Sequence, residues 1–285
     1  MMKYGELYQA GKECLMQAGI PEAALDARLL LEAVCRTNRN DLLVHADRMV
    51  DATEEEIYRN WISRRAKHIP LQQITGVQEF MGLEFAVNEK VLIPRQDTEI
   101  LVEEVLRDLH DGSRILDMCT GSGCILISLL HYSNDCQGIG VDISPEALQV
   151  ARENAAKLLS DKQDDTKISF LESNLFEKVE GSFDILVSNP PYIRSDVIPT
   201  LMEEVRLHEP LLALDGAKDG LLFYRKITEQ GKKHLKNGGR LFFEIGYDQG
   251  NAVKELMETA GFLDVEIVKD FSGLNRVVHG RYREV

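Results

Sequence analysis

Phe183-Asp184-Ile185-Leu186-Val187-Ser188-Asn189-Pro190-Pro191-Tyr192 is the stretch on which the reading of this chain turns. Its first six residues form an apolar, β-favouring run that predicts a buried strand. Two consecutive prolines can neither continue a sheet nor donate to one. The strand therefore stops abruptly and presents the Asn189 side chain and the Pro190 carbonyl at its C-terminal end. That end is where open α/β sheets bind ligands. The Asn189 amide oxygen and the Pro190 carbonyl are two acceptors in a turn that Pro191 stiffens. They suit a planar –NH2 group, one acceptor for each hydrogen, and Tyr192 offers a flat face for it. The plain alternative is a strand exit at which Pro-Pro only ends the sheet.

Upstream, Ile115-Leu116-Asp117-Met118-Cys119-Thr120-Gly121-Ser122-Gly123-Cys124 continues into an apolar run through about Tyr132. It reads as strand, glycine turn and helix. Gly121 and Gly123 allow close approach of backbone to a ligand, and the helix start offers free N–H groups. A dinucleotide fingerprint needs a third glycine where Leu126 stands, and a P-loop needs Gly-Lys-Ser/Thr, which is lacking. The turn thus approaches something other than a pyrophosphate. A further strand, Gln137 to Asp142, ends in an acid at the distance usual for gripping ribose hydroxyls. Asp117 has two readings, bonding the turn's own N–H groups or touching a ligand.

The 285 residues allow two domains, and a net charge of −14 argues against broad attraction to nucleic acid. Arg64, Arg65, Lys67 and His68 read as a solvated helix face. The five cysteines hold no C-x-x-C pair, so a reducing, cytoplasmic setting without disulfides is expected. Cys119 reads as a small residue in the turn. The histidines lack metal spacing, no window is apolar enough to span a membrane, and no signal peptide is expected.

Residues 1–73 read as a small helical bundle. Tyr4, Leu7, Tyr8, Gly11, Cys14, Leu15 and Ala18 share one face, and Ala24, Ala27, Leu31, Val34 and Cys35 another, which Leu25, Leu29 and Leu30 widen. Thr53-Glu54-Glu55-Glu56 has capping-box spacing. Residues 74–90 read as a β-hairpin linker, and residues 91–285 as an α/β domain. Strands are expected at about 113–118, 137–142, 167–172, 183–188, 239–245, 262–269 and 275–281. A helix is expected from Asp97 to about His110. Alternation of strands and helices gives a mostly parallel sheet covered on both faces. The short connection Phe271-Ser272-Gly273 makes the last pair antiparallel.

In their order, the glycine turn, the spaced Asp142 and the Pro-Pro strand end resemble those of S-adenosylmethionine-dependent methyltransferases acting on planar nitrogens. The resemblance narrows at Gly76–Phe85, Val91–Glu99, Ala213–Leu221, Glu244–Gln249 and Gly273–Val278. These segments are similar to the peptide chain release factor glutamine N5-methyltransferases, the HemK or PrmC family, from Gly76 onward. The resemblance implies a class I methyltransferase fold, Rossmann-like, with seven strands and a terminal antiparallel strand. It implies S-adenosyl-L-methionine as methyl donor and S-adenosyl-L-homocysteine as product. The implied partner is a class I release factor, methylated on the glutamine of its Gly-Gly-Gln loop, with the N-terminal bundle helping to engage it. Neither direct nucleic-acid binding nor a membrane is implied.

Asp117, Cys119, Thr120, Gly121, Ser122, Gly123, Asp142, Asn174, Leu175 and Asn189 are then candidates to bind the cofactor. Asn189, Pro190 and Tyr192 are the candidate catalytic residues. With Pro191, Arg95 and Glu99 they are also candidates to bind substrate. Asp97 to Glu99 have an equal reading as helix-cap residues. The chain departs from the family at Gln96, where proline is usual, at Asn174, often aspartate, and at Ala217, usually glycine. Glu244-Ile245-Gly246 reads as the end of a core strand without a catalytic part. A nucleic-acid amino-methyltransferase uses the same tetrad, but the acidic charge and the lack of a basic, aromatic base-recognition domain oppose it. A non-catalytic cofactor-binding protein would not need the tetrad.

Overall fold

The computed structural model describes residues 2–162 and 167–284. In chain order the elements begin with α1 (Tyr4–Gln17), α2 (Ala23–Cys35), α3 (Arg39–Val44), α4 (Ala52–Arg65) and α5 (Leu71–Thr75). There follow β1 (Val77–Phe80), β2 (Leu83–Ala86), α6 (Glu99–Asp108), β3 (Arg114–Met118), α7 (Cys124–His131), β4 (Gln137–Asp142), α8 (Pro145–Leu158), β5 (Lys167–Glu172) and β6 (Phe183–Ser188). The remainder is α9 (Glu203–His208), α10 (Leu211–Leu214), α11 (Leu222–Gly231), β7 (Leu235–Glu244), α12 (Gly250–Thr259), β8 (Leu263–Lys269) and β9 (Asn275–Arg281).

The chain forms two compact units. The first comprises Met1–Val77 and Met202–His208, and the second Gln78–Leu201 and Glu209–Val285. The second segment of the first unit is not foreshadowed by the bundle pattern.

In the first unit, α1, α2 and α4 bury a core that includes Leu7, Leu15, Leu30, Leu31 and Tyr58. The faces differ from the sequence pattern. Cys14 and Ala24 are exposed, and α2 turns Ala23, Asp26, Ala27, Leu30 and Leu31 inward. Asp26 turns inward to a buried ion pair that periodicity does not reveal. Arg65 Nε donates to Asp26 Oδ2 at 2.7 Å, and its Nη2 to Glu204 Oε1 at 2.8 Å. Arg65, expected on a solvated face, is therefore a core residue at 4 % exposure. The cap of α4 is Asp51, whose carboxylate accepts from the Thr53 amide, so the helix begins before the expected capping box.

In the second unit, β1 and β2 meet through Met81 and Gly82, both at positive φ. That is the conformation two-residue hairpin turns require. The main sheet has the order β5-β4-β3-β6-β7-β9-β8. β3 pairs in parallel with β4 and β6, β4 with β5, and β6 with β7. β9 runs antiparallel to both β7 and β8. All seven expected strands are present. β7 starts earlier than expected, and its register against β6 shifts between Phe183 and Ile185. Gly238-Gly239 inside it resembles a turn but forms the irregular stretch of a strand. Helix α7 is buried from Cys124 to Leu130, consistent with its apolar sequence.

Candidate active site

Strand order reverses between β3 and β6, because the chain builds outward from β3 to β5 and then returns to β6. Ligands of open sheets bind in the crevice at such a switch point. The two strand ends are clasped there by Ser188 Oγ, which donates to the Met118 carbonyl at 2.5 Å. Asn189-Pro190-Pro191-Tyr192 leaves the end of β6, and the glycine turn leaves the end of β3.

A cavity of about 250 Å³ opens at these ends. Cys119, Gly121, Asp142, Asn174, Leu175, Asn189 and Pro191 line it, together with apolar groups such as Ile143, Leu212 and Phe223. The sequence candidates from four separate loops thus converge. A wider groove between α11 and α12 contains none of them.

Asp142 is fixed by backbone donors. Oδ2 accepts from the Gly121 amide at 2.9 Å, and Oδ1 from the Ser144 amide at 3.0 Å. Burial raises its pKa, and the Ser144, Gly121 and Ile143 amides oppose that rise. Gly121 has φ of 55°, and a Cβ there would meet no atom within 4 Å. Its backbone therefore faces open space. Gly123 differs. A Cβ there would come within 2.8 Å of Ile127 and 3.2 Å of Ala151, so its smallness serves packing of α7 against α8.

Asp117, Thr120 and Ser122 lie beneath the turn, each almost wholly buried. Thr120 Oγ1 donates to Asp117 Oδ2 at 2.6 Å, while Asp117 Oδ1 has no hydrogen-bond partner among the described residues. Burial pushes the Asp117 carboxyl up to about 7. The bond to the turn is made through the Thr120 hydroxyl and not through a turn N–H group. Burial likewise raises the Cys119 thiol, which disfavours a nucleophilic thiolate there. Asn154 of α8, wholly buried, ties the turn to the hairpin through the Ser122 and Ala86 carbonyls.

The other predicted substrate residues have partners of their own. Glu99 Oε1 accepts from the Met81 amide at 2.7 Å and so anchors the hairpin turn. Arg95 is ion-paired with buried Glu209. Asn174 lines the cavity, and its Nδ2 donates to Glu177 Oε1 at 2.7 Å. Pro190 is buried and Tyr192 half-buried, just outside the cavity lining.

Two residues that sequence reasoning left without a role stand behind the tetrad. Asn189 Nδ2 donates to Thr98 Oγ1 at 3.4 Å, and Tyr192 Oη donates to Glu244 Oε1 at 3.4 Å. Glu244 is 2 % exposed. Burial pushes its carboxyl up to about 7, against the opposing effects of Thr98, Arg276 and Tyr192. Their recurrence in the segments Val91–Glu99 and Glu244–Gln249 was the only signal available in the sequence.

The seven-stranded sheet with its terminal antiparallel pair, and a pocket at the switch point, define a class I methyltransferase, the S-adenosylmethionine-dependent class. A solved methyltransferase from Pyrococcus furiosus shares the fold at a TM-score of 0.52 and 18% identity, over 72% of this chain and 91% of that one. Residues 6–76 match the PrmC N-terminal domain, and residues 95–205 the methyltransferase small domain. Two relatives are release factor glutamine methyltransferases. The Clostridium acetobutylicum protein is 43% identical, over 89% of this chain and 89% of its own. The Caulobacter vibrioides protein is 41% identical, over 96% and 94%. The chain belongs to the release factor glutamine methyltransferase family.

The residues fit S-adenosylmethionine. A carboxylate already oriented by two amides keeps lone pairs for ribose hydroxyls, and Gly121 leaves room for a close ligand. Ile143, Leu175 and Phe223 provide apolar walls for a flat base.

Proposed function

We propose that this chain transfers a methyl group from S-adenosylmethionine to the side-chain amide nitrogen of glutamine in the Gly-Gly-Gln loop of a peptide chain release factor. The observation that carries the reading is the orientation of Asn189. Its nitrogen is taken by Thr98, so its oxygen is the atom left to accept from a substrate –NH2 at the pocket. Family membership supports the particular glutamine.

An amide nitrogen is a poor nucleophile because its lone pair is delocalised. The bound cofactor supplies a methyl group already activated on a sulfonium. Asn189 Oδ1 and the Pro190 carbonyl hold the two N–H hydrogens, aim the nitrogen and stabilise the positive charge that grows on it. Tyr192, its hydroxyl kept protonated by burial and by the nearby Glu244 charge, limits rotation of the amide plane. No base is needed before attack, because the proton becomes acidic only after transfer. Asp142 grips the ribose, Asn174 and Leu175 the adenine. Arg95 and Glu99, outside the cavity lining, are candidates to contact the protein substrate.

The N-terminal unit engages the protein substrate, a reading that the match to the PrmC N-terminal domain supports. The net charge of −14 disfavours nucleic acid as the alternative substrate. Among the described residues no helix is long and apolar enough to cross a membrane. A cytoplasmic setting, where release factors act, completes the reading. Transfer of labelled methyl from S-adenosylmethionine tests it, with a release factor, its Gln→Ala variant and adenine-containing DNA as acceptors. Label only in the intact release factor is expected. Faster labelling of DNA would overturn the reading.

A further inference from the structure

An asparagine amide has two ends of nearly equal size, one a donor and one an acceptor. Only one orientation serves a substrate –NH2. Turned over, Asn189 would set donor against donor. A threonine hydroxyl alone does not choose between them, since it can give or take a hydrogen. An ionised carboxylate does choose, because it only accepts.

Thr98, 2 % exposed, sits between Asn189 and Glu244. It accepts from Asn189 Nδ2, and its hydroxyl favours the charged form of the Glu244 carboxyl as a donor would. Glu244 Oε1 takes the Tyr192 hydroxyl, while Oε2 is buried without a hydrogen-bond partner among the described residues. The Thr98 hydroxyl has a hydrogen to give to it. The main chain that carries it is pinned, since Tyr224 Oη donates to the Glu244 carbonyl at 3.0 Å and Glu244 pairs with Val277 in the sheet.

Resting on the function proposed above, we propose that Glu244 and Thr98 are positioning residues that set the polarity of this hydrogen-bond chain. Charged Glu244 accepts from both Thr98 and Tyr192. Thr98 is thereby an obligate acceptor toward Asn189, and Asn189 must direct its oxygen to the substrate. Protonated Glu244 no longer enforces that order. The groups facing it are Arg276 from β9, Asp97 before α6, Tyr192 after β6, Tyr224 from α11 and Cys124 from α7. Arg276 is the only cation among them, and it is held by Asp97 at 3.0 Å and Asp270 at 3.1 Å.

The experiment compares Glu244→Gln, Thr98→Val and Thr98→Ser with the parent chain for turnover on a release factor and for cofactor binding by titration calorimetry. Misplaced reacting groups cost on the order of 100-fold in rate. Glu244→Gln and Thr98→Val are expected to lose turnover on that scale with cofactor affinity unchanged. Thr98→Ser is expected to keep most of it. The acid limb of the turnover–pH profile should vanish in Glu244→Gln. Unchanged turnover in Thr98→Val, equal losses in Thr98→Ser and Thr98→Val, or the same acid limb in Glu244→Gln would overturn the proposal. If a variant melts early, Thr98→Ser and the pH profile of the parent chain decide: no acid limb in the parent contradicts it. A parent chain that methylates no release factor would instead sink the function reading.

Discussion

The Gly121 amide donates to Asp142 Oδ2 across 2.9 Å, so the acid at the end of β4 is oriented by the very turn that leaves β3. This single bond joins the two sequence features that signalled a nucleoside ligand. Replacing Asp142 removes a charged acceptor for hydroxyls and frees the turn together. Bonds to charged groups contribute roughly 2–3 kcal/mol. Asp142→Ala is expected to weaken S-adenosylmethionine binding by tens-fold or more in calorimetric titration. An unchanged dissociation constant in a folded variant would remove Asp142 from the site.

Asn189→Ala separates chemistry from cofactor binding. It deletes one of the two acceptors for the substrate amide, and loss of such a preorganised contact costs on the order of 100-fold or more in turnover. Cofactor affinity should change far less. Steady-state kinetics beside a binding titration checks both, and a loss confined to affinity would contradict the assigned role.

Much of this site was legible because its signals are local. Pro-Pro after an apolar strand, glycines after another and an acid at a strand end each follow from short-range backbone physics. The partners of those residues were not legible. Thr98 and Glu244 reach the tetrad from segments far away in sequence, and Asp26 finds Arg65 across two helices. Such pairs leave no periodic trace. Ala217 shows the limit at a single residue. It replaces the expected glycine yet keeps φ at 68°, where a Cβ costs roughly 1–2 kcal/mol.

Asp117 gives the protein a pH-dependent stability. An exposed aspartate titrates near 3.9, roughly the unfolded value, whereas burial raises Asp117 to about 7. Between these values the folded chain holds more protons than the unfolded one. Its contribution therefore falls as pH rises from about 4 to about 7. Asp117→Asn should flatten that decline in melting temperature, with Glu244 leaving a residual slope of the same sign. A parent-like slope in the variant would assign the effect elsewhere.

The Asp26–Arg65 pair tests the first unit. Both side chains are at most 10% exposed, so removing one leaves a buried, uncompensated charge. Arg65→Ala is expected to cost about 3–5 kcal/mol in denaturant unfolding. A change within experimental error would mean that the pair is solvated in solution.

The central claim is transfer of one methyl group to one glutamine side chain. Tandem mass spectrometry of a release factor, before and after incubation with this protein and S-adenosylmethionine, reads it directly. The expected result is a single added methyl located on the side-chain nitrogen of the Gly-Gly-Gln glutamine, absent when Asn189→Ala replaces the parent chain. A methyl on any other residue, or none on that glutamine while nucleic acid is methylated, would contradict the account.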